Sequence, residues 1–396
     1  MNDTGKLEEQ IKNAMQKWFN VSRCSTRYQN KQLAECGDIV VKFVHPTQKH
    51  DAADFDTQSL VDETIEWVLP MERIKVFDSS AALYVKREYV FHCFIMKCLE
   101  GQLFCDNESQ KEIYLTSDVD ETCSDKFNMT KFRLSVIHKV VRNLLEFGGF
   151  VVSNRPTEGH SLAIHLTRNR RKESTGIELL CGPITSHDIN ATDYVKKRAN
   201  DMQLIAQHKY GIRVRNHQRF QETIASLGRS AAIVDMLESK ASSPIDMRKE
   251  KNQSSKGAAF ILYNYARLSV LFRTFEEKQK TGYYPELPSI GNVDFSLLKE
   301  EDEWHLFWVY VVGFPDLIKQ ALGDGQLARM SPHLVLNFTS SLVICLSKYY
   351  RRVRILTENR DHLLSTMFAR IYLLKSVYYV LSTLLKILNL EAVTQM

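Results

Sequence analysis

The chain has 396 residues and eight cysteines, but no pair at Cys-x-x-Cys spacing. Cys93 and Cys98 come nearest, and they are too loosely spaced for the paired ligands of a structural zinc site. With no disulfide framework either, the thiols are expected to be buried in a reducing cytosol. The N-terminal segment MNDTGKLEEQIKNAMQKWF lacks the apolar core of a secretory signal and reads as an amphipathic helix, so the expected location is cytoplasmic. The longest nearly unbroken apolar run, Leu306–Phe314, is far short of a bilayer span, and no membrane partner is expected. There is no internal repeat and no long low-complexity tract. Proline is absent after Pro332, which leaves a helical period uninterrupted almost to the end. Gly148–Gly149 stops a helix and is not a phosphate loop, and no cofactor is expected.

What remains is ordinary globular material: 44% hydrophobic and 25% charged residues, enough for two or three domains. A net charge of +5 is mild, but it is unevenly spread. Arg168–Lys172 reads RNRRK, placing Arg168, Arg170 and Arg171 together. Lys196–Arg219 is basic, and Ser341–Lys375 carries Lys348, Arg351, Arg352 and Arg354 against only Glu358 and Asp361. Such clusters, interleaved with aromatics, suit a surface that follows a phosphate backbone.

Residues 1–60 read as a small α+β region, with an extended piece at Asp38–Val44. Residues 61–200 alternate strand and helix. Arg73–Phe77 and Lys111–Thr116 have strand character, Lys131–Phe147 has apolar residues at helical spacing, and Phe150–Val152 returns to strand, with Ser161–Leu166 and Gly176–Leu180 as further strands. Strand, helix, Gly-Gly, strand is a βαβ unit and implies a parallel sheet. Residues 215–396 read as all-helical, with loops at Ala241–Ser255 and Thr281–Asn292. The fold class is therefore α/β plus all-α.

Catalytic constellations are sparse. His160 and His165 are five residues apart and are expected at a strand end on the surface. Asp118, Asp120, Glu121 and Asp125 make an acidic loop without the glycine and closing glutamate of a calcium loop. Ser135 and His138 share a helix turn but lack a third, orienting group.

The densest signal is Lys256–Phe275, KGAAFILYNYARLSVLFRTF. Tyr263, Arg267 and Val270 fall at i, i+4 and i+7, one face of a helix. Tyr350 and Arg354 repeat the Tyr-to-Arg spacing of four. A flat ring and a planar cation one turn apart suit an unpaired base. Spacing alone also accommodates a core tyrosine with a snorkelling arginine.

Tyr263–Asn264–Tyr265–Ala266–Arg267 resembles the Tyr-x-x-Ala-Arg signature of the helical DALR anticodon-binding domain of arginyl-tRNA synthetases. KYYRRVRIL, MFARIYLLK, VLSTLLKILNL and the terminal methionine match the end of that domain in order, over roughly Ser230–Met396. The resemblance implies a class I synthetase-like, Rossmann-type α/β region followed by an all-helical DALR bundle. It also implies that Tyr263, Arg267, Val270, Tyr350, Arg354 and Met396 face an anticodon. Lys348, Arg351, Arg352 and the Arg168 cluster are then expected to follow the tRNA backbone. Some family members have tryptophan where Arg354 stands; an arginine plane stacks similarly.

The α/β region departs from that family in one decisive way. Phe132–Arg133 and Leu145–Gly149 match the helix that follows the family's His-x-Gly-His motif, but the four residues before Phe132 are Asn128, Met129, Thr130 and Lys131. Gly182–Asp193, where a Lys-Met-Ser-Lys-type loop is due, has no lysine pair. Without groups to hold the adenylate phosphates, amino-acid activation is not expected. Gly176–Pro183, Asp294–Leu298, Glu303–Trp304 and Phe314–Leu317 together resemble the DALR anticodon-binding domain-containing protein 3 family. That resemblance implies a non-catalytic adaptor that presents arginine tRNA to a tRNA 3-methylcytidine methyltransferase. Two alternatives stay open at this point: an active arginine–tRNA ligase with a variant site, and a helical protein-interaction module that does not touch RNA.

Overall fold

The computed structural model describes every residue except 1–2, 22, 44–55, 105–110, 120–127, 156–161, 170–175, 186–188, 211–217, 248–255 and 393–396. The chain begins α1 (Asp3–Phe19), β1 (Cys24–Tyr28), α2 (Leu33–Cys36), β2 (Ile39–Phe43), α3 (Thr57–Asp62), β3 (Met71–Phe77), β4 (Ser80–Val85) and α4 (Arg87–Leu99). It continues β5 (Glu112–Ser117), α5 (Met129–Phe147), β6 (Val151–Ser153), β7 (Leu162–Thr167), β8 (Ile177–Leu180), β9 (Ile184–Thr185), α6 (Ala191–Tyr210), α7 (Gln218–Leu237) and β10 (Ile245–Asp246). Helices then dominate: α8 (Lys256–Lys280), α9 (Glu301–Phe307), α10 (Phe314–Ala321), α11 (His333–Arg352) and α12 (Asp361–Ile387). Two compact units result. The first holds Met1–Leu103, Gly282–Gly313 and Arg352–Val377; the second holds Phe104–Thr281, Phe314–Arg351 and Tyr378–Met396. The helical stretch expected over 215–396 thus contributes to both.

In the first unit, four antiparallel strands are ordered β1-β2-β4-β3. Ile39, Val41 and Phe43 alternate onto the buried face, and Phe19 of α1 stacks on Phe43 with centroids 5.1 Å apart. The expected border between residues 60 and 61 falls inside α3, and half of this sheet lies beyond it. Arg73–Phe77, read as a strand, is the greater part of β3 and pairs antiparallel with β4. A two-residue connection at Asp78–Ser79 closes that hairpin, whereas parallel pairing needs a long crossover.

Helix α9 is tied to this sheet by hydrogen bonds. Trp304 Nε1 donates to Asp38 Oδ1 at 2.7 Å, Trp308 Nε1 donates to Gln29 O at 3.1 Å, and Arg87 pairs with Glu301 at 2.8 Å. Arg370 of α12 pairs with the fully buried Glu303 at 2.8 Å. Burial pushes the Asp38 carboxyl up to about 6, against the opposing hydrogen bonds from Trp304 and the Val85 N–H. A folded value above the unfolded one means that protonation favours the fold. The contribution is complete below the ordinary carboxylate value and is lost as pH rises through about 6. Melting curves between pH 4 and 7 are expected to show Asp38→Asn flattening this dependence; an unchanged slope would contradict the assignment.

The second unit contains a parallel sheet in the order β6-β5-β7-β8. The expected βαβ unit is present as β5, α5 and β6, with strand bounds shifted by about one residue. Asn128 caps α5 by accepting from the Lys131 N–H at 2.8 Å. After Phe147 the chain leaves the helix at Gly148 and turns at Gly149, whose φ of 87° suits glycine. Leu134, Ile137, Val140, Val141 and Leu144 are buried, as a helix packed on a parallel sheet requires. Ala241–Ser255, read as a loop, contains β10, which pairs in parallel with β9. Between α6 and α7, the buried Arg198 pairs with the buried Asp235 at 2.8 Å, and the Tyr194 hydroxyl donates to Asp235 at 2.7 Å.

Helix α12 has 27 residues and is long and apolar enough to cross a bilayer, but 72% of its most apolar window is buried inside the protein. That is the environment of a core helix. The thiols are mixed: Cys98 and Cys181 are buried as expected, Cys36 is exposed, and Cys105 and Cys123 lie outside the described residues.

Candidate nucleic-acid interface

Helix α8 presents two rows on nearly opposite sides. Tyr263, Arg267 and Val270 form one. Tyr265, Ser269 and Phe272, two residues further along and so rotated by about 200°, form the other. The second row is held by Tyr378 of α12. Its ring stacks on Tyr265 with centroids 4.8 Å apart and meets Phe272 edge-on at 5.4 Å. Its hydroxyl bonds Tyr265 at 2.7 Å and Ser269 at 3.0 Å. These contacts fix the roll of α8 and therefore the direction of the first row. Tyr378→Phe keeps the stack and loses both hydrogen bonds. It is expected to cost roughly 1–2 kcal/mol, read as a lower denaturant midpoint; an unchanged midpoint would show that the hydroxyl does not brace the helix.

On the first row, the Arg267 guanidinium lies 3.8 Å from the centroid of the Tyr350 ring and 5.8 Å from that of Tyr263. Tyr350 comes from α11. All three side chains are half-buried, and Val270, one turn on, is 38% exposed. Burial raises the Tyr350 phenol while Arg267 opposes the shift, so the ring stays a neutral donor and acceptor. A planar cation held against aromatic rings with one exposed apolar neighbour has the flat, partly exposed chemistry on which an unpaired base can stack.

Arg354 does not repeat this geometry. Helix α11 ends at Arg352, so a spacing of four no longer means one turn, and Arg354 Nε instead donates to Leu356 O at 3.3 Å. The cation that joins Tyr350 is Arg267, brought from α8. Lys348 and Arg351 are exposed on α11. Arg352 is also exposed, and pairs with Asp302 at 2.7 Å. Arg168 is exposed at the end of β7. Arg170, Arg171 and Met396 lie outside the described residues.

The residues standing where a phosphate-binding motif is due are used structurally. Asn128 is the helix cap, Met129 is buried, and Thr130 Oγ1 accepts from the Ile184 N–H at 3.0 Å. Arg133 is fully buried. Its guanidinium donates to Ser243 O at 2.6 Å, Lys240 O at 2.9 Å, Gly182 O at 3.0 Å and Ser239 Oγ at 3.0 Å. His165 is not a loose strand-end residue. It sits within β7, half-buried, with Nδ1 2.7 Å from Thr116 Oγ1 and Nε2 2.9 Å from Asp118 Oδ1, because paired β5 brings Thr116 alongside. Burial alone would raise the Asp118 carboxyl, but hydrogen bonds from Thr167, His165 and the Arg168 N–H hold it below its ordinary value. His160, Asp120, Glu121 and Asp125 lie outside the described residues. Among the described residues, no three His, Cys, Asp or Glu side chains gather as a metal site.

A family model for the DALR anticodon binding domain matches residues 261–396. This part of the chain is similar to a DALR anticodon-binding domain. The chain is 32% identical over 231 residues to the DALR anticodon-binding domain-containing protein 3 of Danio rerio, and 31% identical over 223 residues to that of Mus musculus. These alignments cover 55% and 54% of the chain but only 41% of each relative's length. An arginine–tRNA ligase of Syntrophotalea carbinolica is 27% identical over 179 residues, covering 44% of the chain and 30% of the enzyme. Among solved structures, the arginyl-tRNA synthetase of Thermus thermophilus superposes with a TM-score of 0.66 at 11% identity, with full coverage of both chains. The fold is therefore that of an arginyl-tRNA synthetase, as the sequence resemblance implied.

Tyr263, Arg267, Val270 and Tyr350 fall within the residues that the DALR model matches, and Arg267 and Tyr350 are in contact. Sequence reading missed that pairing, since nothing local connects α8 to α11. It also missed Tyr378, for which a tyrosine pair inside an otherwise aliphatic helix was the available signal.

Proposed function

We propose that this chain is a tRNA-binding protein that does not aminoacylate. Its DALR domain reads the anticodon region of arginine tRNAs, and it presents them in the cytoplasm to a tRNA 3-methylcytidine methyltransferase. The observation that carries the tRNA reading is the Tyr263–Arg267–Tyr350 stack inside a DALR domain. Its partly exposed cation and rings suit stacking and edge hydrogen bonds to a splayed base. The exposed Lys348, Arg351 and Arg168 suit phosphates, with affinity falling as salt rises. The partnership with a methyltransferase rests on the resemblance to the DALR anticodon-binding domain-containing protein 3 family.

The absence of aminoacylation is supported by Asn128, Met129, Thr130 and Lys131, which offer neither the imidazoles nor the glycine of a class I phosphate site. Arg133, two residues after Lys131 on α5, is occupied by carbonyls of its own chain. Arginine-dependent pyrophosphate exchange is expected at background; turnover above background would make the chain a ligase. Methylation of arginine tRNA by a purified 3-methylcytidine methyltransferase is expected to rise when this chain is added. No rise with a tRNA that the chain binds would remove the adaptor role.

A further inference from the structure

In the first unit, an open groove of about 670 Å³ lies between the turn after α3, the start of β3, the start of α4 and residues 295–299. Its floor is apolar and fixed. Met71, Phe295 and Leu298 are buried. Thr64 Oγ1 accepts from the Met71 N–H at 2.9 Å and donates to Val61 O at 2.7 Å, and the Lys86 N–H donates to Pro70 O at 2.8 Å. At the rim, two apolar side chains remain exposed. Ile65 is 75% exposed, the most of any large apolar side chain among the described residues, and Tyr89 is 42% exposed. A loose loop is not the reason. The N–H groups of Thr64, Ile65 and Trp67 donate to Val61 O at 2.9 Å, Asp62 O at 3.3 Å and Thr64 O at 2.9 Å. The Trp67 ring stacks on Trp18 with centroids 5.9 Å apart, and Trp18 Nε1 donates to Glu63 at 2.9 Å. Apolar anchors that the fold holds out of its own core, beside an apolar floor, are the arrangement of a protein interface.

Charge decides the kind of partner. Asp62, Glu72 and Glu88 line the groove, and Glu63 and Glu66 belong to the turn that carries Ile65. The pairing of β3 with β4 shifts register between Met71 and Arg73, and Glu72, at that irregularity on an edge strand, is exposed. Two of the neighbouring cations are already taken: Arg87 by Glu301 and Lys17 by Glu63, each at 2.8 Å. Lys86 and Lys299 remain, and the carboxylates outnumber them. In a chain of net charge +5, this acidic stretch repels a phosphate backbone and attracts a cationic protein surface.

We infer that this groove docks a basic amphipathic segment of a partner protein. The segment's apolar side lies against Ile65, Tyr89 and Leu298, and its cations lie beside Asp62, Glu72 and Glu88. Only the owner of the segment rests on the function proposed above. An enzyme that acts on the same tRNA needs basic surface to hold it, and the methyltransferase is then the partner that brings the segment.

A dye-labelled helical peptide of leucine and lysine, and its leucine–glutamate counterpart, are the probes, titrated into the full chain by fluorescence anisotropy. Saturable binding of the lysine peptide alone is expected, weakening as salt rises. Ile65→Ser and Glu72→Lys are each expected to weaken it by at least roughly tenfold, with melting unchanged. No saturable binding, or binding that both variants leave intact, would overturn the proposal. So would a loss of tRNA affinity in Ile65→Ser, which would make the groove an RNA site, or a parent dimer that Ile65→Ser turns into a monomer in sedimentation, which would put a second copy there. Capture of a purified 3-methylcytidine methyltransferase separates the two claims. Capture by the parent chain that both variants lose supports the groove and its occupant together. A parent chain that binds the peptide but not the enzyme removes the adaptor reading and leaves the groove in place. Capture that both variants keep overturns the groove as the enzyme's dock.

Discussion

Arg133→Met is expected to destabilise the second unit by roughly 2–4 kcal/mol, because the buried Gly182 carbonyl and the part-buried Lys240 and Ser243 carbonyls lose a charged donor, and a buried carbonyl left unpaired costs roughly 1–3 kcal/mol. Arg133 is fully buried on α5 and donates to carbonyls of Gly182, Lys240 and Ser243 and to the Ser239 hydroxyl. No carboxylate among the described residues takes part, and burial pulls the guanidinium below its usual value. Its planar fork is what allows one side chain to reach four oxygens on two segments, Gly182 and Ser239–Ser243. Arg133→Lys, with a single ammonium, is therefore expected to recover little of the loss. The check is chemical denaturation combined with limited proteolysis, where cleavage should appear first around Ser239–Ser243. A methionine variant as stable as the parent would mean that these carbonyls find other donors.

The second large effect is expected on binding. Arg267→Ala removes the plane that lies 3.8 Å from the Tyr350 ring and 5.8 Å from the Tyr263 ring. Loss of one stacked contact is worth roughly 1–3 kcal/mol, so affinity for arginine tRNA is expected to fall about tenfold to a hundredfold. Because Arg267 is only half-buried, the fold should be little changed. Arg267→Lys separates the two sources of affinity. It keeps the charge and loses the plane, so a lysine variant that falls nearly as far as alanine identifies stacking, and one that binds like the parent identifies simple charge. The measurement is filter or fluorescence titration at fixed salt, with melting curves alongside.

Much of this arrangement was legible in the sequence for identifiable reasons. The βαβ unit was readable because Lys131–Phe147 keeps a helical period up to Gly148–Gly149 between two short apolar runs. Tyr263, Arg267 and Val270 were readable as one face because α8 is regular across them. The failures have physical causes. The expected border at residues 60–61 cut through α3, because the sheet that spans it joins strands on both sides through pairings no local pattern encodes. The Tyr350–Arg354 spacing counted as a turn only while α11 lasted, and the helix stops at Arg352. The contact between Arg267 and Tyr350 joins residues far apart in the chain, and no local pattern encodes it. The contacts of Asp38 with Trp304, and of His165 with Thr116 and Asp118, were invisible for the same reason.

The central claim is that the DALR domain reads the anticodon through the Tyr263–Arg267–Tyr350 stack. Its most direct test is a titration of the purified chain against an arginine tRNA and the same tRNA carrying a swapped anticodon, at two salt concentrations. Binding that collapses on the swap at both salts is the predicted result. Equal, strongly salt-dependent binding to both tRNAs would leave only a basic surface and would contradict it.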